Sequence, residues 1–240
     1  LDRGVDGGRL DTVNFYFHIH ALLDNPRMVP GQTGDIPDTN PYGYQDHLYD
    51  KSQPENLDFL RRFRALLDEY EGRASVGEVG DGDRSLQTVA AYTGGGDTLH
   101  MCYTFDLLSP AFSAAHVRKC VEDFERSVTD GWICWAFSNH DVMRHVSRWT
   151  RPGGDPDAVA RFAITLLIAL RGSICLYQGE ELGLEEADIA FEDLRDPYGI
   201  RFWPAFRAGT GVGRRWSGNT MRPMAAFQRA NPGCRCLLRT

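Results

Sequence analysis

The chain has 240 residues, a net charge of −7 and an apolar fraction of 42%. That length suits one large domain or two small ones. The basic residues are dispersed rather than clustered, which argues against a nucleic-acid partner, because such binding depends on lysine and arginine contacts to phosphate. No apolar run approaches the roughly 20 residues that a membrane-spanning helix needs, so we expect no membrane partner.

The six cysteines form no CxxC pair, and no histidine follows them at zinc-finger spacing, so the sequence predicts no metal site. Cys102, Cys134 and Cys175 lie in predicted strands. We expect buried, reduced thiols at these positions, because free cysteine packs as a small hydrophobe. Reduced thiols favour the cytoplasm as the location.

Short apolar strands alternate with amphipathic helices along the chain. The strands are predicted at residues 5–10, 74–79, 99–105, 133–138 and 173–177. The helices are predicted at residues 55–70, 85–92, 114–128 and 155–170. Between the first strand and the first helix, residues 25–50 are rich in proline and glycine and poor in periodicity. A loop of this length is usually functional or disordered, and we expect it to form a wall of a pocket.

The alternation of strands and helices indicates an α/β fold with parallel strands and crossover helices, since no hairpin signals separate the strands. A doubly wound sheet and an eight-stranded barrel both fit this pattern. Three acidic residues decide between them, because Asp11, Glu78 and Asp141 lie at the C-terminal ends of predicted strands, and barrel active sites gather at that face. No GxGxxG motif opens a helix, which disfavours the nucleotide-binding sheet. The sequence therefore predicts part of a (β/α)8 TIM barrel.

A retaining glycosidase needs an ionised carboxylate as nucleophile and a protonated carboxyl as acid, about 5–5.5 Å apart. Arg9 lies two residues before Asp11, so both side chains point to the same face of a strand. An arginine in that place keeps a neighbouring carboxylate ionised by favouring its charged form. Arg9 and Asp11 therefore suit the nucleophile's side of such a site.

Glu78 is surrounded in sequence by Val76, Gly77, Val79 and Gly80. This composition predicts an apolar setting, and such a setting raises a carboxyl pKa, as a general acid requires. A solvated loop carboxylate is the plain alternative for Glu78 alone.

His140 and Asp141 follow the fourth predicted strand, and both side chains are able to hydrogen-bond sugar hydroxyls in a way that strengthens at the transition state. Taken alone, the segment from Asn139 to Asp141 also fits a turn in which Asn and Asp satisfy backbone groups. The ordered occurrence of all three acids favours a common site. The acidic segment 178–181 is interpreted as a loop that braces the barrel rim.

The motifs GGRLD (residues 7–11), GEVG (77–80) and SNHD (138–141) resemble the GFRLD, GEV and NHD motifs of the α-amylase superfamily, glycoside hydrolase family 13. Within it, the chain is most similar to bacterial α-glucosidases and oligo-1,6-glucosidases. The similarity continues through LYQGEELGL (176–184) and DPYGIRFWP (196–204), and it covers residues 1–207. The resemblance implies a nucleophile at Asp11, a general acid/base at Glu78, a transition-state stabiliser at Asp141, and pocket partners at Arg9 and His140.

Thr12 follows the implied nucleophile, at a position associated in this family with the choice of linkage. Valine there implies α-1,6 cleavage, whereas threonine favours α-1,4 linkages and short substrates such as maltose. Gly8 departs from the family, which has phenylalanine at that place. The family's earlier strands, with their DxxxNH motif, have no counterpart here, so we expect about strands 4–8 of the barrel with their helices.

The sequence stops resembling the family after Arg207, where family members continue with a segment like GRDGCRTPMVW. Residues 208–219 can be encoded by codons that give GRDGCRTPMVWE when they are read one base earlier. We therefore expect residues 208–240 to be a frameshifted, non-native tail, and residues 1–207 to be the C-terminal part of the catalytic barrel.

The leading interpretation is a retaining α-glucosidase without a cofactor. It would release α-1,4-linked, or alternatively α-1,6-linked, glucose from the non-reducing ends of short oligosaccharides. A transglucosylase or sucrose-acting relative shares this chemistry until water or another sugar attacks the intermediate. A non-catalytic amylase-like scaffold is disfavoured, because such relatives usually lose one or more of the acids. For the isolated chain, an inactive truncated fragment is a further alternative, because five strands cannot close an eight-stranded barrel.

Overall fold

A computed structural model describes residues 1–29, 40–195 and 197–203. The segment 208–240, expected to be a non-native tail, lies outside these residues. In the described part, strands and helices alternate as β1 (Gly7–Leu10), α1 (Glu55–Asp68), β2 (Ala74–Val79), α2 (Ser85–Thr93), β3 (Met101–Thr104), α3 (Ala114–Ser127), β4 (Cys134–Trp135), α4 (His145–Trp149), α5 (Pro156–Ala169), β5 (Ser173–Ile174) and α6 (Pro197–Arg201).

All pairings between these strands are parallel, as the alternation predicts. β1, β2 and β3 form one sheet in chain order, and β4 pairs with β5. A parallel bridge between Cys102 and Ile133 joins the two sheets. The described residues therefore form an open parallel arrangement with crossover helices, and they do not by themselves close into a barrel.

Four of the five strands are shorter than the apolar runs that predict them, whereas β2 covers residues 74–79 as predicted. β4 covers two residues, although the apolar run extends over residues 133–138. Ala136, Phe137 and Ser138 are buried beyond the end of the strand. A run of apolar residues indicates burial and not backbone hydrogen bonding to a neighbouring strand. It therefore overestimates the length of a strand whose last residues turn into the core.

Side chains cap the N-termini of two helices, α3 and α5. The Asp155 side chain accepts hydrogen bonds from the backbone N–H groups of Asp157 and Ala158 at 3.0 and 3.2 Å, and Pro156 occupies the first turn of α5. Ser113 caps α3 by accepting from His116 N–H at 3.1 Å. Each cap satisfies backbone donors that have no partner inside the helix.

A continuous apolar core lies between the strands and the helices and holds the strand ends in place. Its members come from every layer of the described fold: Val13, Leu60, Val79, Val89, Leu99, Phe124, Ile133, Phe137 and Leu167. Gly77 lets these layers approach closely, because a Cβ there would lie 2.6 Å from Leu99 Cδ1. The ends of β1 and β2 are therefore fixed relative to each other by close packing.

The cysteines of the described residues are free thiols. Cys102 and Cys134 are buried as expected, whereas Cys175, which follows β5, is only half-buried. Over residues 1–29, 40–195 and 197–203, no helix combines the length and apolar character needed to cross a bilayer.

Candidate active site

Arg9 and Asp11 meet at the end of β1, as their spacing in the sequence predicts. Arg9 Nη1 donates to Asp11 Oδ1 at 2.5 Å. This hydrogen bond lowers the pKa of Asp11, and the charge of Arg9 adds to the effect. The Asp11 side chain is 67% exposed, so an ionised carboxylate faces the solvent side of the strand ends.

Glu78 lies at the end of β2 in polar surroundings, which corrects the apolar setting expected from its neighbours in sequence. Arg9 Nη2 lies 2.8 Å from Glu78 Oε2, and the Tyr103 hydroxyl donates to Glu78 Oε1 at 2.5 Å. Thr12 N–H donates to Glu78 Oε2 at 3.0 Å. Val79 does not determine this setting, because adjacent strand residues face opposite sides and Val79 packs in the apolar core. The polar groups around Glu78 arrive from the neighbouring strands.

Tyr103 was not among the residues expected at the site. It lies on β3 in direct register with Glu78, and its ring is almost fully buried. Its sequence signal is a tyrosine in a mainly apolar strand segment, and such a signal is common in protein cores.

Thr12 has a left-handed backbone conformation, with φ 41° and ψ 47°. A β-branched residue rarely adopts this conformation, since its Cβ approaches the following carbonyl oxygen. At Thr12 it accompanies the hydrogen bond from the Thr12 N–H to Glu78. Local backbone strain therefore coincides with the contact that joins the ends of β1 and β2.

Asp141 belongs both to a turn and to the acidic cluster. Asn139 Oδ1 accepts from the N–H groups of Asp141 and Val142 at 2.9 and 3.2 Å, which is the turn that the sequence allows. The Asp141 carboxylate lies 3.5 Å from His140 Nε2. Burial raises the pKa of Asp141, and the nearby charges of Glu78 and Asp11 act in the same direction. The charges of the other two acids therefore act on Asp141.

The acidic segment after β5 is structural, as its interpretation as a bracing loop predicts. Glu180 is buried, and its Oε2 accepts from the Tyr177 N–H at 2.7 Å. Its other oxygen faces His145 on α4. Glu181 is exposed. The loop thus joins β5 to the helix that follows the Asp141 turn.

The described end of the long loop packs beside the end of β2. Lys51 Nζ donates to the Gly80 carbonyl at 3.1 Å, and it lies 3.4 Å from Asp81 Oδ1. Burial lowers the pKa of Lys51. Tyr42 stacks on His47 with ring centroids 3.7 Å apart. Lys51 directly follows the loop of residues 25–50 and also donates to the Tyr42 hydroxyl at 3.2 Å, so it links this loop to Gly80 at the end of β2.

In the part of the chain that the structure describes, no group of three or more His, Cys, Asp or Glu side chains has the arrangement of a metal site. The acidic cluster instead surrounds Arg9, whose guanidinium contacts two of the three carboxyl groups. Such a cluster is suited to acid–base and nucleophilic chemistry.

The chain matches the family model of the alpha amylase catalytic domain over residues 1–210, and it belongs to that family. A probable alpha-glucosidase of Rhizobium meliloti (strain 1021) is 55% identical over 214 residues, which are 88% of this chain and 39% of that protein. Maltase A1 of Drosophila melanogaster is 30% identical over 211 residues, covering 82% of this chain and 35% of its own.

Among solved structures, the alpha-glucosyl transfer enzyme XgtA superimposes with a TM-score of 0.81 and 52% identity, over 88% of this chain and 39% of XgtA. The chain therefore spans 35–39% of the length of these relatives.

Proposed function

We propose that the chain is the C-terminal part of the catalytic barrel of a retaining α-glucosidase, with residues 1–207 supplying about strands 4–8. The substrates are short oligosaccharides such as maltose, and glucose leaves from their non-reducing ends. The observation that carries the proposal is the bridging contact of Arg9 with Asp11 and Glu78. It joins the carboxyl groups proposed as nucleophile and acid at neighbouring strand ends.

In the first step Asp11 attacks the anomeric carbon while Glu78 gives its proton to the glycosidic oxygen. The C1–O bond to the leaving sugar breaks, and a covalent glucosyl ester forms on Asp11. In the second step Glu78 takes a proton from water, which attacks the same carbon and releases Asp11. Asp141 and His140 hydrogen-bond the sugar hydroxyls more strongly at the transition state.

We propose that Thr12 favours α-1,4 over α-1,6 linkages. Its backbone contact with Glu78 supports a position beside the leaving group. A second candidate function is glucosyl transfer, in which a sugar rather than water attacks the intermediate. The likeness to XgtA, an alpha-glucosyl transfer enzyme at 52% identity, favours this candidate. The products formed from maltose separate the two functions, because hydrolysis gives glucose alone and transfer gives longer sugars.

Residues 208–240 are proposed to be a frameshifted tail. The DNA sequence of codons 208–219 tests this directly, because the proposal requires codons that give the family's segment when they are read one base earlier. We further propose a reducing compartment, the cytoplasm, because the described cysteines are free thiols. Cell fractionation with an antibody to the chain tests that location.

The parent protein is here the full-length product that contains residues 1–207 in a complete barrel. The test of the proposed function is glucose release from maltose and isomaltose by this parent protein and by its Asp11→Asn variant. We expect maltose cleavage that the substitution lowers by roughly 10³-fold or more. Asp83→Asn is the matched control, because Asp83 is exposed on the turn after β2. A folded parent protein that cleaves neither sugar would overturn the proposal in favour of a non-catalytic scaffold.

A further inference from the structure

The Tyr103 hydroxyl lies between the cation and the carboxyl group of the candidate site. It accepts a hydrogen bond from Arg9 Nη2 at 2.8 Å and donates one to Glu78 Oε1 at 2.5 Å. A hydroxyl has one proton and two acceptor lone pairs. Because the guanidinium only donates, the proton of Tyr103 can point only towards Glu78, so the orientation of this hydroxyl is fixed.

The two oxygens of Glu78 have different surroundings. Oε1 receives the hydroxyl of the buried Tyr103. Oε2 faces the Thr12 N–H and the Arg9 guanidinium, on the side of the exposed Asp11 carboxylate. Arg9 also donates to Asp11 Oδ1, so the second oxygen shares a contact with the proposed nucleophile.

We propose that Tyr103 is a positioning residue for the general acid/base, which holds Glu78 Oε1 and leaves Oε2 to exchange the proton with the glycosidic oxygen. The inference rests on the proposed function, since it gives Tyr103 a role only where Glu78 transfers a proton. Tyr103 keeps its own proton throughout, because burial and the hydrogen bond to Glu78 both raise its pKa.

The hydrogen bond from Tyr103 acts mainly on the transition state. Glu78 gains negative charge as its proton moves to the leaving oxygen, and a hydrogen bond to an ionised acceptor is stronger than one to a neutral acceptor. An interaction that strengthens during the step accelerates it. The effect is therefore larger for leaving groups that need protonation than for those that leave without it.

Tyr103→Phe removes the hydroxyl and keeps the ring, and the parent protein is the background for the test. We expect kcat for maltose to fall about 10- to 100-fold, as for partial loss of general acid catalysis. We expect KM to change less than about 3-fold, and kcat for α-glucosyl fluoride to change little, since fluoride leaves without a proton. The alkaline limb of the maltose pH profile should move to higher pH, because the anionic form of Glu78 loses a donor.

Tyr92→Phe is the matched control. Tyr92 is equally buried, and its hydroxyl accepts from Asn56 Nδ2 at 2.7 Å, away from the acids. This variant should leave the leaving-group dependence and the pH profile unchanged. A second substitution, Tyr103→3-fluorotyrosine, keeps the hydroxyl and makes it a stronger hydrogen-bond donor. The alkaline limb of the maltose pH profile should then move to lower pH.

An equal loss on maltose and α-glucosyl fluoride, or an unchanged pH profile in both Tyr103 variants, overturns the positioning role. In that case an active parent protein leaves the proposed function intact. A folded parent protein that cleaves neither substrate overturns the proposed function, and the role of Tyr103 with it. If Tyr103→Phe does not fold, the opposite shift in the fluorotyrosine variant decides the question.

Discussion

His145 Nδ1 lies 2.8 Å from Glu180 Oε1, and each of these side chains is 3% exposed. The Ser138 hydroxyl accepts from the His145 backbone N–H at 2.9 Å and lies 3.1 Å from Nδ1 of the same residue. Ser138 is three residues before Asp141 along the chain. A buried polar contact thus joins the loop after β5 to the turn that carries the third acid.

Glu180→Gln should lower the free energy of unfolding by about 2 kcal/mol, because it removes the charge that faces His145 in a buried site. The amide oxygen of glutamine still accepts from the Tyr177 N–H, so the loop keeps that hydrogen bond. Glu181→Gln should change stability by less than about 0.5 kcal/mol, since Glu181 is exposed. Urea unfolding of the parent protein measures both values, and equal midpoints for the two variants would show that the buried contact contributes nothing.

Arg9→Gln should move the acid limb of kcat/KM for maltose to higher pH. The nucleophile must be ionised, so activity falls as the pH drops through the pKa of Asp11. The hydrogen bond from Arg9 holds that pKa below its usual range, and the substitution removes both the bond and the charge.

Arg73→Gln is the control for Arg9→Gln, because Arg73 pairs with Asp6 at 2.8 Å near the opposite ends of the same two strands. It should leave the acid limb where it is. An unmoved limb in Arg9→Gln would contradict the assignment of Asp11 as the group that Arg9 keeps ionised.

Thr12→Gly should raise the free energy of unfolding by about 1 kcal/mol. The left-handed conformation of Thr12 costs a β-branched residue about 1–2 kcal/mol, and the greater freedom of glycine in the unfolded chain offsets part of the gain. Thr165→Gly, in the interior of α5, should have the opposite sign, because glycine is a poor helix former. Thermal unfolding distinguishes the two, and a loss of stability in Thr12→Gly would show that the side chain contributes more than the strain costs.

Gly77→Ala should lower stability by about 1–3 kcal/mol through overpacking. The added methyl group would lie 2.6 Å from Leu99 Cδ1 and 3.0 Å from both Cys102 Sγ and Val13 Cγ1. Gly8→Ala on β1 should instead be neutral or stabilising, since no atom lies within 4 Å of a Cβ at that position. Denaturant midpoints of the two variants test the difference, and similar losses at both positions would argue against close packing as the cause.

The tight packing at Gly77 and the open space at Gly8 bear on a departure from the family. Gly8 stands where the family has phenylalanine, and the surroundings of its Cβ position leave room for a side chain. The missing phenylalanine side chain therefore leaves open space beside β1.

The amino-acid sequence by itself determined the alternation of strands and helices, the parallel direction of the strands and the pairing of Arg9 with Asp11. Each of these depends on local spacing: α1 follows from apolar residues three and four apart, and the Arg9–Asp11 contact follows from the two-residue repeat of a strand. The motifs also indicated the family, and the match of the family model over residues 1–210 shows it.

Only the tertiary structure decided the surroundings of Glu78. Arg9 and Tyr103 reach it from the strands on either side, and the left-handed backbone of Thr12 aims an N–H at it. Along the chain, Thr12 is 66 residues and Arg9 is 69 residues from Glu78, and Tyr103 is 25 residues from it. No local sequence pattern spans such distances, because the register between strands is set by the packing of the whole sheet. The chemistry of a buried carboxyl group depends on the groups that this register brings to it.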